Sequence, residues 1–124
     1  MVNCYCGALE RFENCCKPYI LGDLKAPTAV ALMRSRYTAF ATHNADYLMA
    51  TTHFSTRKHH NRADILDWAT SNQWIKLLVL SATANTVHFK AFYLDSEGNS
   101  QLHQEHSIFK LEDGNWFYVD GDLY

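Results

Sequence analysis

The chain has 124 residues, 48% hydrophobic, 14% aromatic and 19% charged, with a formal net charge of -2 at pH 7. That length supports one ordinary domain with a small appendage and a core needing no disulfide staples, and the composition excludes a disordered chain. The small net charge excludes a global attraction to nucleic acid or anionic lipid, and no apolar run is long enough to span a bilayer.

The charges are uneven along the chain. Residues 1–62 hold eight Lys/Arg against four Asp/Glu, and residues 63–124 hold three against nine. Folding is expected to intermix the two halves, so nucleic acid is not expected as a partner. The N-terminus MVNCYCG lacks the basic and apolar regions of a secretory signal, which points to a cytoplasmic, reducing location.

Residues 1–25 are cysteine-rich and read as irregular. Pro27-Thr28 opens a helix with Val30, Met33, Tyr37 and Phe40 at helical spacing, running to about Thr42. Asn44 caps a second, short helix through Tyr47, Leu48 and Thr51. Residues 55–61, STRKHHN, read as a polar basic loop, after which Asn61 or Arg62 begins a third helix carrying Ile65, Leu66 and Trp68. From Gln73 onward the pattern turns to strands: Trp74 to Ala84, then Val87, Phe89, Ala91 and Tyr93 at a period of two, then a strand through His106, Ile108 and Phe109. Asp113-Gly114 is a hairpin signal leading into the last strand, WFYVDG. Helices followed by an antiparallel meander predict an α+β fold with helices packed on one face of a curved sheet.

All four cysteines, Cys4, Cys6, Cys15 and Cys16, fall in the first sixteen residues. A disulfide between the adjacent pair would close a strained ring, and a reducing compartment disfavours disulfides altogether. Free thiols clustered by chance are the other alternative. Tetrahedral metal binding accounts for the pattern better, with zinc ahead of iron on ligand type and spacing. Gly7, after Cys6, suits the tight turn because it tolerates positive φ, and Arg11 and Lys17 are placed to offset the charge of a four-thiolate centre. Four protein ligands leave no position for a reacting water, so the expected role is structural or partner-docking, not catalytic.

The stretch Cys4-Tyr5-Cys6-Gly7 followed by Cys15-Cys16 resembles the SEC-C motif, a small zinc-binding module also found at the end of the preprotein translocase SecA. Residues 26–40, APTAVALMRSRYTAF, then Asp46-Tyr47-Leu48, residues 53–57 (HFSTR) and the terminal DGNWFYVDG resemble the YchJ family over essentially the whole chain. Ala8 and Leu9 stand where the family usually has Ser-Gly, and Thr52 and Phe54 where it typically has Trp and Pro. The resemblance implies a SEC-C-like zinc motif at 1–25 and a nuclear transport factor 2-like domain of the cystatin-like cone fold at 26–124. It supplies a fold and a metal site, not a reaction.

A cone fold leaves room for a pocket at its open end, and Arg36, Tyr37, His53, Arg57 and Trp68 are its candidate lining residues. For Arg36 the simplest expectation is a salt bridge to a strand carboxylate such as Glu105, and the functional alternative is an anion clamp with Arg57. For His53 a loop hydrogen bond competes with an acid/base role. His59-His60 is expected to be solvated. His103 and Glu105 share one strand face and His106 points to the other. The chain contains no Gly-rich phosphate loop, no serine-centred elbow and no H-E-x-x-H motif.

These readings favour a non-enzymatic interaction module that recognises a protein partner (a chaperone, a translocation component or a ribosome-associated factor) through a zinc knuckle. A small-molecule-binding protein or enzyme using the cone pocket is the alternative, and an open sheet face allows a homodimer.

Overall fold

The computed structural model describes residues 3–123. Its N-terminal section is more ordered than the sequence implied: a 3-10 turn at Phe12–Asn14 and a short helix α1, Lys17–Ile20, follow a turn closed by an Asn3–Arg11 bridge. Four helices come next: α2 (Ala29–Ala41), α3 (Ala45–Ala50), α4 (Phe54–Arg57) and α5 (Arg62–Ser71). Thr28, Asn44 and Asn61 cap α2, α3 and α5 with side-chain oxygens that accept from the N–H three residues on, as their polar side chains and positions anticipated.

The segment expected to be a polar loop is in part the helix α4. Its cap is the His53 ring: Nδ1 accepts from the Ser55 N–H. The helix is held from outside by tertiary bonds, Thr56 Oγ1 to the Val119 carbonyl and the His53 N–H to the Tyr118 carbonyl. Local polarity gave no sign of it because long-range partners stabilise it.

The strands β1 (Gln73–Ala82), β2 (Thr86–Leu94), β3 (Ser100–Glu112) and β4 (Asn115–Leu123) form an antiparallel sheet in sequence order. Asp113 and Gly114 both take positive φ, as the two-residue β3–β4 turn requires. Register shifts interrupt β1 at Trp74/Lys76 and Val79/Ser81, and the β3–β4 pairing at Ile108/Phe109. Such bulges bend and twist strands, and the resulting curved sheet takes α2 against its inner face. Val87, Phe89 and Ala91 point inward from β2, and Glu105, Ser107 and Phe109 from β3.

One hydrophobic core joins these parts: Cys4, Cys6 and Cys16 pack in the same cluster as Leu32, Met33, Tyr37, Val87, Phe89 and Phe109. The N-terminal section therefore shares its core with the helices and sheet. Among the described residues no helix is long and apolar enough to cross a membrane.

Candidate metal centre and adjoining cavity

Helix α2 carries a different site on each of two sides. Residues four apart on a helix share a face. Arg34 and Thr38 reach the cysteine section, while Arg36 and Phe40, with Met33 and Tyr37, line a cavity against the sheet.

On the first side, one ligand atom from each of Cys4, Cys6, Cys15 and Cys16 lies within 4.8 Å of all the others. Cys6 and Cys15 sulfurs are 3.7 Å apart, and Cys15 and Cys16 sulfurs 3.9 Å. A tetrahedral ion with metal–sulfur bonds of about 2.3 Å requires sulfurs about 3.8 Å apart, so these separations fit. The turn is shaped for this purpose. Gly7 takes φ of +88° and its N–H donates to the Cys4 carbonyl, while the Cys4 N–H donates to the Glu10 carbonyl. Arg34 Nη1 holds the Cys6 carbonyl at 3.0 Å and Thr38 Oγ1 lies 3.8 Å from the Cys4 sulfur, so α2 fixes the turn from behind.

The thiols do not share charge evenly. Hydrogen bonding from Cys16 pulls the Cys6 thiol down to about 5 against the opposing effect of burial. Burial, followed by the Cys6 charge, pushes Cys15 up to about 12, and Cys16 is pushed up by its bond to Cys6 and by burial. Thiolates brought this close repel one another, and a bound cation would offset that charge.

On the second side, α2, α5 and the inner sheet face enclose a cavity of about 170 Å³. Its apolar walls include Met33, Tyr37, Phe40, Trp68, Trp74 and Phe89, and its polar groups are Arg36, Thr52, His60, His103, Glu105, Ser107 and Tyr118. Trp68 meets Trp74 and Tyr93 edge-on at 5.8 and 5.3 Å, forming an aromatic rim. Glu105 is 9% exposed. Burial raises its carboxyl, but hydrogen bonds from His103, Ser107 and Tyr118 outweigh that and hold it below the ordinary range. Gly121 makes room for this group, since a Cβ at that position would run into the Glu105 carboxylate.

The family model described as YchJ, middle NTF2-like domain, matches residues 28–121. A UPF0225 protein of Photorhabdus laumondii is 38% identical over 125 residues, covering 95% of this chain and 79% of its own. The chain belongs to the YchJ family. A second UPF0225 relative, from Polaromonas naphthalenivorans, is 43% identical over 118 residues, covering 91% of this chain and 82% of its own. Similarity extends to the solution structure of a SEC-C motif containing protein from Rhodopseudomonas palustris, with a TM-score of 0.91, 31% identity and 99% of each chain covered. A crystal structure of a SEC-C motif containing protein from Psychrobacter arcticus shares the fold at a TM-score of 0.75 and 23% identity, over 99% of this chain and 80% of that one.

In this YchJ-family chain the expected pocket residues divide. Arg36, Tyr37 and Trp68 line the cavity, whereas His53 and Arg57 do not. His53, 2% exposed, uses both ring nitrogens: Nδ1 on Ser55 and Nε2 donating to Glu112 at 3.2 Å. It pins α4 to the end of the β3–β4 hairpin, which is the loop hydrogen bond offered for it. Arg57 donates to the carbonyls of Thr52 and Ala50, so the Arg36–Arg57 anion clamp does not form.

Nor does Arg36 bond Glu105 directly. Its Nη1 donates to the Leu48 carbonyl and to Thr51 Oγ1 and Thr52 Oγ1, its guanidinium lies over the Tyr118 ring at 4.6 Å, and the Tyr118 hydroxyl donates to Glu105. His59 and His60 are exposed, as expected; His60 also borders the cavity, and burial followed by the Arg36 charge lowers its pKa. Sequence reasoning missed Arg34 and Thr38 at the cysteines, and Ser107 in the cavity. Ser107 was within reach of the strand period that had already placed Glu105 and His103 together.

Proposed function

We propose that this protein is a zinc-ordered interaction module in which four cysteine thiolates bind a structural Zn²⁺ and the knuckle so formed docks onto a protein partner. The mutual approach of the four sulfurs is the observation that supports it. Four thiolates complete a tetrahedron and leave no coordination site for substrate. The ion would tie the N-terminal section to α2 and supply no reaction.

The exposed apolar side chains of that section support the docking role. Leu9 is 93% exposed, and Tyr5, Leu21 and Leu24 are exposed beside it in the sequence. The first 25 residues balance Arg11, Lys17 and Lys25 against Glu10, Glu13 and Asp23, so attachment there rests on apolar contact more than on charge. The likeness to SEC-C motif proteins supports a partner among chaperone, translocation or ribosome-associated components in the cytoplasm.

Leu9→Ser tests this reading. It is expected to leave metal content and thermal stability unchanged while weakening the complex with such a partner at least about tenfold, equivalent to about 1.4 kcal/mol. Binding by both Leu9→Ser and the combined Leu9→Ser/Leu24→Ser protein as tight as that of the unaltered protein, measured by titration calorimetry, would remove the knuckle as the docking surface.

A further inference from the structure

The cavity contains a buried cation whose hydrogen-bonding capacity is only half used. Arg36 is 7% exposed. All its protein hydrogen bonds leave from Nη1, so among the described residues Nε and Nη2 have no partner. Neither nitrogen is sealed from solvent, and the space that Arg36 borders is the cavity.

The carboxylate whose charge acts on Arg36 is Glu105, and that group is already engaged. His103 donates to Oε1, while Ser107 and Tyr118 donate to Oε2. Burial lowers the Arg36 pKa to about 10, so the guanidinium remains charged at neutral pH. A buried charge ordinarily has a hydrogen-bonded counterion, whereas Arg36 has only neutral hydrogen-bond partners, all on Nη1, and the Tyr118 ring beneath its guanidinium.

We propose that the cavity is a binding site for a small aromatic monocarboxylate. The Nε–H and Nη2–H edge of Arg36 takes the carboxylate in a two-pronged bond, and the ring lies among Phe40, Trp68 and Trp74. Size supports one ring with a short substituent: the space is about 170 Å³, and cavities of about 150 Å³ accept benzene. Charge limits the ligand to a monoanion. A phosphate or a diacid would bring a second negative charge toward Glu105, which is held in its ionised form.

This site is separate from the knuckle, because Arg36 and the cysteines lie on different sides of α2. The test uses the metal-replete protein. Benzoate and phenylacetate are titrated against it, with benzamide as the uncharged isostere and acetate as the ringless control, following fluorescence of the rim tryptophans and the Arg36 Nε–H resonance by NMR. Saturable binding of the aryl carboxylates is expected, at least about tenfold tighter than benzamide or acetate, with a shift of the Arg36 Nε–H signal and loss of binding in Arg36→Gln. The resonance in the unaltered protein decides the matter if Arg36→Gln fails to fold. No saturation at millimolar concentration, equal affinity for benzamide, or binding that leaves the Arg36 resonance unmoved would each overturn the proposal.

Discussion

A strong chelator is expected to lower the thermal midpoint of this protein by on the order of 10 °C, from a loss of about 3 kcal/mol in a domain of this size. The reason lies in where the sulfurs sit. Cys4, Cys6 and Cys16 are buried in the cluster that also contains Leu32, Met33 and Tyr37 of α2. Removing the ion would leave four crowded sulfurs with no cation between them, Cys6 pulled down and Cys15 and Cys16 pushed up. The turn around Gly7 would then be held only by its backbone bonds and Arg34, and the sulfurs would no longer be drawn together against α2. Cys6→Ser should cost about as much as chelation and should be insensitive to chelator, because both remove the same centre and their effects do not add. Thermal unfolding of both proteins with and without chelator checks this. An unaltered protein that melts at the same temperature in chelator would contradict it.

Gly121→Ala should destabilise by about 2–3 kcal/mol, a large effect for a single methyl. The added Cβ would occupy the place of the Glu105 carboxylate. Displacing that group strands the donors on Ser107, His103 and Tyr118, and removes the negative charge acting on Arg36. The two positions should therefore couple: in a Glu105→Ala background the methyl has room, and Gly121→Ala should cost markedly less.

The same carboxylate gives a pH signature. Its folded pKa lies below the ordinary value of 4.5. A depressed folded pKa contributes stability that is full above the unfolded pKa and fades as pH falls through the folded one. The stability advantage of the native chain over Glu105→Gln should accordingly hold near neutral pH and shrink below about pH 4.5. Urea unfolding across pH 3–7 measures it. A gap that widens on acidification would show that Glu105 is not the held anion described above.

The sequence displayed its locally determined features and hid the ones that depend on distant contacts. Thr28 and Asn44 were legible as helix starts, and Asn61 as one of two possible starts, because a cap needs only its own polar side chain and the next few residues. The four cysteines were legible as a cluster because they lie within thirteen residues of one another, from Cys4 to Cys16. Helix α4 was not, since its cap is a histidine and its anchors are on β4.

The cavity was read with the wrong polar groups for a related reason. His53 and Arg57 looked available by sequence, yet both are consumed in fastening α4 and the end of α3. The polar groups that line the space come from α2, β3 and β4 and from the connections at Thr52 and His60, and only the strand period of two, which put His103 and Glu105 on one face, gave part of the arrangement away. The expected Arg36–Glu105 contact failed because Tyr118 lies between them, a placement that the β3–β4 register sets and no local signal reveals.

The central claim is that the four N-terminal cysteines hold one structural zinc ion. Elemental analysis of protein purified without chelator tests it most directly, alongside a Cys15→Ser/Cys16→Ser variant and a titration of free thiols. One zinc per chain in the native protein, none in the variant and no reactive thiols before denaturation is the predicted result. Native protein with no bound metal and four titratable thiols would contradict it.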